Sequence, residues 1–374
     1  MGALKLFLIA GEPSGDRLGA ALMAGLEGLS PGVEFEGIGG PLMMAEGMVS
    51  LFPMEDLSVM GLVEILPKYF HLMARIREAG AAALASGAAA LITIDSPDFC
   101  LRVAKIVKAA RPDMRTIHYV APSVWAWRPG RAAKMARVID HVLALLPFEP
   151  PYMTAAGMTC DFVGHPVVAE PLASAEERAA FAGQGPLLLT LPGSRRSEVE
   201  RMMPLFGQVL GRLKVDHPDL RVALPTVAHV AETVRARAAD WPLVPQIIGD
   251  AGPKRGAFAA ADAALAASGT VSLELAANDC PMVIAYDANR LTFWLAQRLA
   301  RVDTVTLVNL VSETRAVPEF LGPDAVAGKI APAVAGLLSG DVAQSEAMRV
   351  TMERLGRGGE PPGLRAAKSV LKHL

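Results

Sequence analysis

The stretch from Leu187 to Glu200 constrains this chain most. Leu187, Leu188, Leu189 and Leu191 run into Pro192 and Gly193, after which Val199, Met202, Met203, Phe206, Val209, Leu210 and Leu213 recur at helical spacing. An unbroken apolar run marks a strand buried on both faces, and a glycine turn into a helix marks a parallel, wound sheet. Pro204 falls early in that helix and predicts a kink there. At such a junction the first backbone N–H groups of the helix lack partners and its positive dipole end faces outward, so an anion can sit there. Ser194 and Arg195 stand at that point, and a guanidinium grips phosphate oxygens through two donors. A plainer reading is also open, in which Ser197 and Glu200 form a capping box and Arg195 is a solvated neighbour.

The same logic opens the chain. Leu4 to Ala10 reads as a strand, Gly11 to Asp16 as a turn and Leu18 to Leu26 as a helix. Two such units within 374 residues predict two α/β, doubly wound domains facing one another. Neither Gly11–Asp16 nor the glycines at 37, 39 and 40 make a G-x-G-x-x-G, so a nicotinamide or flavin enzyme is unsupported. A net charge of −2 argues against a nucleic-acid partner. Cys100, Cys160 and Cys280 are far apart, without metal-binding spacing, and read as core residues from a reducing compartment. The opening from Met1 into a strand lacks the charged leader and cleavage site of a secretory signal. No apolar run reaches the roughly 18 residues of a spanning helix.

Several segments carry a choice of readings. From Val59 to Ile76 apolar residues cover more than one helical face, interrupted by Pro67, which fits either core packing or an exposed patch, rimmed by Lys68, Arg75 and Arg77, that meets acyl chains or a membrane. Asp95 follows the strand Ala89–Ile94, beyond whose end ligands of open parallel sheets bind, so catalysis and helix capping are both open to it, with Ser96 and Asp98 as alternative caps. The strand Thr116–Val120 leads into a loop holding Trp125 and Trp127, followed by Arg128, Arg131, Lys134 and Arg137 at three-residue steps along one helix side. In the second half Ser268, Gly269 and Thr270 form another small-residue turn between strand and helix, with backbone donors and hydroxyls for phosphate. Glu274 stands one turn into that helix, where it can accept ribose hydroxyls or simply complement the helix dipole. Ala169 to Gly185 reads as a linker, and Gly356 to Gly363 as a break that frees a last short helix to dock elsewhere.

Taken in order, the motifs GEPSGD at 11–16, VMG at 59–61, IDSPDF at 94–99, HYVAPSVWAW at 118–127, LPFE at 146–149, FVGH at 162–165, LPGSR at 191–195, ASGT at 267–270 and PMVIAY at 281–286 closely resemble the lipid-A-disaccharide synthases. The resemblance spans nearly the whole chain. It implies a GT-B glycosyltransferase: two Rossmann-like domains across a cleft, residues 1–168 binding acceptor and acyl chains, 169–355 binding the UDP-sugar, and a tail helix in 356–374 that docks outside its own domain. The implied reaction joins UDP-2,3-diacylglucosamine to 2,3-diacylglucosamine 1-phosphate with inversion, without metal or other cofactor. The implied location is the cytoplasmic face of the inner membrane, held peripherally, and a homodimer is compatible with it.

By position in the family's motifs, Asp95 is the general base, Arg195 with Ser194, Ser268, Gly269 and Thr270 binds the diphosphate, Glu274 binds the ribose and Asn309 lies near the nucleotide. The glycine turn (Gly11, Glu12, Ser14, Gly15, Asp16) falls to the acceptor side, and Met60, Leu62 and Phe70 to acyl chains or membrane. Two positions depart from the family pattern: Val308 stands where proline is expected, and Pro13 stiffens the first turn. The rival enzyme is a UDP-sugar epimerase of the same architecture, and a two-lobed solute-binding protein is a rival of another class.

Overall fold

The computed structural model describes residues 4–57, 62–249, 251–267, 269, 271–287, 298 and 300–374, of which 62–69 and 251 are described by backbone alone. The chain forms two compact units, one of Met1–Ala169 with Gly358–Leu374 and the other of Glu170–Arg357.

In the first unit the strands β1 (Lys5–Ala10), β2 (Glu34–Ile38), β3 (Val49–Ser50), β4 (Ala90–Ile94), β5 (Arg115–Tyr119), β6 (His141–Ala144) and β7 (Thr159–Phe162) lie in the order β3-β2-β1-β4-β5-β6-β7. The second unit holds β8 (Leu187–Leu191), β9 (Arg221–Pro225), β10 (Gln246–Ile248), β11 (Ala263–Ala266), β12 (Met282–Tyr286) and β13 (Glu319–Leu321), in the order β10-β9-β8-β11-β12-β13. Every pairing is parallel. This is the expected α/β, doubly wound fold. Side chains of β1 alternate between two cores: Phe7 and Ile9 join Ile76, Val103 and Val107, while Leu6, Leu8 and Ala10 join Leu18, Leu22 and Leu26. Burial of both faces explains why the strands read as continuous apolar runs.

Strand order reverses at one place in each sheet. In the first unit β1 lies against β4, with Ala10 opposite Ile94; in the second β8 lies against β11, with Leu191 opposite Ala266. The chain leaves such neighbouring strands in opposite directions, which opens a crevice beyond their carboxyl ends. Tight approach elsewhere is met by glycine: a Cβ on Gly37, at φ +143°, would fall 1.8 Å from the Leu8 carbonyl oxygen.

Several local expectations are corrected. The first helix spans Pro13–Leu29, because a proline at its first position needs no N–H partner, so most of the expected turn is helix. The helix Leu62–Ala85 continues through Pro67 where an interruption was expected; the helix Arg196–Asp216 carries Pro204 inside it, between the buried Met203 and Phe206. The expected basic helix is only Gly130–Met135, so Arg128, at φ +50°, and Arg137 lie outside it. The segment read as a linker carries a helix, Ala175–Ala179, with a capping box between Ser174 and Glu177. Among the described residues no helix is long and apolar enough to cross a membrane.

The C-terminal helix Pro362–Lys372 belongs to the first unit and packs on the helix Pro13–Leu29, where a Cβ on Gly25 would lie 2.8 Å from the Gly363 carbonyl oxygen. Ser369 donates to Asp161 at 2.8 Å and meets His141 Nε2 at 2.8 Å, while His141 Nδ1 meets Thr159 Oγ1 at 2.8 Å. The His141 and His373 rings stack at 3.9 Å. With Asp161 they bring ligand-type atoms within 4.8 Å of one another, but both ring nitrogens of His141 are already taken by Thr159 and Ser369.

Burial lowers His118, His141 and His165 to about 4, so the fold keeps three imidazoles neutral that the unfolded chain protonates near 6.5. Burial raises Glu149 to about 7, which works in the opposite direction, as does the raised Asp95. Between pH 6.5 and 4.5 the unfolded chain thus binds more protons, and stability falls as pH falls. Thermal melts should drop from pH 7.5 to pH 5, and His141→Asn should flatten that slope; equal slopes in the two proteins would exclude His141 as a contributor.

Candidate active site

In the first unit the crevice lies between the turns after β1 and β4. Asp95 and Ser96 take φ of 52° and 43°, two successive left-handed residues without glycine. Such conformations cost on the order of 1–3 kcal/mol each and cluster at functional sites. The Asp95 N–H donates to the Tyr119 carbonyl at 2.9 Å, and its carboxylate accepts the Ser96 N–H at 2.9 Å. Ser96 is the N-cap of the helix Pro97–Ala110 without a side-chain cap bond. Asp95 is therefore not the cap of that helix. It is half-buried, and burial raises its pKa while the Ser96 N–H pulls it partly back. Gly11 adjoins this turn so closely that a Cβ would lie 2.7 Å from Ser96 Oγ. Gly15 is buried below it, Glu12 is the helix N-cap and Ser14 is exposed.

Asp16 turns away from that crevice. Only 3% exposed, it accepts N–H bonds from Gly40 at 2.9 Å and from Leu42 and Met43 at 3.0 Å, which satisfies the start of the helix Pro41–Ala45. Its carboxylate is thereby committed to structure. Beyond β5, Trp125 stacks edge-on against Phe148 at 5.1 Å and donates to Glu149 at 3.3 Å; Glu149 also accepts from Leu145 and Leu146. Arg128 lies over the Trp127 ring at 4.2 Å. The acyl or membrane candidates are unevenly visible: Met60 lies outside the described residues, Leu62 opens its helix, and Phe70 is 84% exposed. At the expected rim, Arg75 is engaged by Asp56 at 2.6 Å and Glu78 at 2.8 Å.

In the second unit the turns after β8 and β11 meet. Gly193 takes φ +112°, and the helix that follows has Arg195 as its N-cap and starts at Arg196, two residues before a Ser197 cap would start it. Glu198, not Glu200, is therefore the residue that reaches back, accepting from Ser194 N at 3.3 Å, Arg195 N at 3.2 Å and Arg195 Nη1 at 3.0 Å. Glu200 instead pairs with Arg196 at 2.9 Å. The Arg195 side chain is 71% exposed. His229 Nε2 lies 2.8 Å from the Ser194 carbonyl oxygen, a donor to this turn that no sequence signal marked. After β11, Gly269 takes φ +128°, while Ser268 and Thr270 lie outside the described residues. Glu274, on the helix Val271–Ala277, pairs with Lys254 at 2.6 Å. Asn309 is 1% exposed, and its amide is spent on Thr304 at 3.2 Å and on Val317 at 2.9 and 3.0 Å. It sits on the helix Leu307–Ser312, which also absorbs Val308 in place of the expected proline.

A family model described as lipid-A-disaccharide synthetase matches residues 6–368. The chain is 61% identical to the lipid-A-disaccharide synthase of Ruegeria pomeroyi, over 99% of this chain and 96% of that one, and 49% identical to that of Rhodospirillum centenum, over 99% and 95%. Among solved structures its fold is similar to UDP-GlcNAc 2-epimerase from Neisseria meningitidis bound to UDP-GlcNAc (TM-score 0.62, 11% identity, 100% and 99% covered). It is also similar to the calicheamicin glycosyltransferase CalG4 (TM-score 0.58, 17% identity, 100% and 99% covered).

The saturated carboxylate of Asp16 predicts a loss of stability rather than of chemistry. Asp16→Ala strands three backbone donors and should cost about 1–3 kcal/mol in a denaturant titration. An unchanged midpoint together with lost turnover would return Asp16 to the reaction.

Proposed function

The chain belongs to the lipid-A-disaccharide synthase family, and on that premise we propose that it transfers 2,3-diacylglucosamine from its UDP derivative to the 6-hydroxyl of 2,3-diacylglucosamine 1-phosphate. The observation that carries this reading is the coincidence of family motifs with both points of strand reversal: GEPSGD and IDSPDF follow β1 and β4, LPGSR and ASGT follow β8 and β11. Asp95 takes the proton from the acceptor 6-hydroxyl as that oxygen bonds to the sugar's anomeric carbon, and the bond to UDP breaks with its electrons leaving on the diphosphate. The raised pKa of Asp95 suits a base that must hold a proton once it has taken one. Gly11, Glu12, Ser14 and Gly15 border the acceptor, with Asp16 shaping that border from within.

Arg195, Ser194, Ser268, Gly269 and Thr270 supply positive charge and donors for the leaving diphosphate, electrostatic stabilisation that requires no metal ion. Glu274 takes the ribose hydroxyls, exchanging its contact with Lys254 to do so. Asn309 acts at one remove by tying Thr304 and Val317 to the helix Leu307–Ser312. The epimerase alternative loses ground to the family membership, because the fold it shares with those enzymes is common to many activities.

The enzyme works at the cytoplasmic face of the inner membrane, with Phe70 and its neighbours Met60 and Leu62 meeting acyl chains. Changing all three to serine should weaken association with anionic phospholipid vesicles and raise the apparent KM for acylated substrates without altering UDP affinity; unchanged vesicle binding in a normally melting variant would refute this. The reaction itself is tested by UDP release from the donor, with and without acceptor. Asp95→Asn should lower that rate about a hundredfold or more while melting normally. A rate near that of the unaltered protein would remove Asp95 from the mechanism.

A further inference from the structure

The donors proposed for the diphosphate are already holding an anion. One carboxylate, that of Glu198, accepts from the Ser194 and Arg195 backbone N–H groups and from the Arg195 guanidinium. It lies so close under the turn that a Cβ on Gly193 would stand 2.7 Å from its Oε2. The grip is loose: backbone contacts of 3.2–3.3 Å exceed the roughly 2.7–2.9 Å of a strong charge-assisted bond. Arg195 is far more exposed than Glu198, at 71% against 18%, so its guanidinium can swing to a ligand while the carboxylate stays with the helix.

We propose that Glu198 is an internal competitor for the diphosphate, occupying its donors in the free protein and yielding them when the nucleotide binds, so that it limits affinity for UDP and eases release of the product. This rests on the reading of Arg195 as a diphosphate ligand. A purely structural Glu198 would instead support the helix start and the turn, and removing its charge would then weaken nucleotide binding or leave it alone. The two roles differ in sign.

Calorimetric titration of Glu198→Gln with UDP and with uridine separates them, since glutamine keeps an oxygen acceptor for the backbone N–H groups but not the charge. The expected result is UDP affinity raised about two- to fivefold, the scale of releasing one exposed ion pair, with uridine affinity unchanged and a normal melt. Arg195→Ala is titrated beside it. If Arg195→Ala weakens UDP binding while Glu198→Gln leaves it unchanged or weaker, the competitor role is overturned and the site stands. If Arg195→Ala has no effect on UDP affinity, the diphosphate lies elsewhere and the proposal falls with that reading. A glutamine variant that melts early is replaced by Glu198→Asp, whose shorter reach withdraws the charge from the donors and predicts the same tightening.

Discussion

Parallel strands cannot be joined by tight hairpins, so each must hand the chain to a crossover that returns along a face of the sheet. Where successive crossovers depart in opposite directions, two neighbouring strand ends are left uncovered, and that geometry is the constraint on which the candidate residues of each unit depend. In the first unit it brings the turn after Ala10 beside the turn after Ile94; in the second it brings Leu191 beside Ala266. Each turn is short because a helix starts within a few residues. Gly11 is needed where the two turns of the first unit nearly touch, and Gly193 where the backbone must take φ +112°. Backbone donors aimed outward follow from this arrangement before any side chain is chosen.

The features readable in the sequence were those encoded over short distances. Buried strands are apolar runs, glycine turns follow them, and a lone aspartate after a strand is visible at once; the fold and the candidates Asp95, Ser194 and Arg195 came from such signals. What escaped was set by partners far along the chain. His229 reaches Ser194 across 35 residues, Lys254 reaches Glu274 across 20, and Ser369 meets His141 across 228. No periodicity links such pairs, since their proximity follows from the order of strands and not from spacing. Helix starts depart from the apolar pattern for a more local reason. The proline at 13 and the N-cap role of Arg195 each begin a helix earlier than the apolar pattern does, because the first turn of a helix faces solvent as often as core.

Asp16 and Asp95, which follow the paired strands β1 and β4, show how one residue type acquires opposite roles. Asp16 is given three N–H donors by residues 40–43, which satisfies the carboxylate and fixes it as a strut. Asp95 is given one, from its own neighbour, in a backbone conformation that favours glycine. A half-buried carboxylate with so few donors is poorly solvated, and burial raises its pKa above the ordinary carboxylate value.

The second unit handles charge by a related economy. A site that binds a diphosphate without a metal ion must concentrate positive potential at a helix start, where a cation such as Arg195 is itself repelled by the helix dipole. Glu198, in the first turn of that helix, offsets both the dipole and the arginine, and Glu274, on the helix Val271–Ala277, pairs likewise with Lys254. Arg195 and Lys254 thus each have a carboxylate within hydrogen-bond reach. Nucleotide binding under the proposed reading is then an exchange of one anion for another at donors already present, with little new positive charge to be assembled. Such an exchange moderates affinity, which favours turnover in an enzyme whose leaving group is also its product, because the same donors that stabilise the departing diphosphate must afterwards let it go.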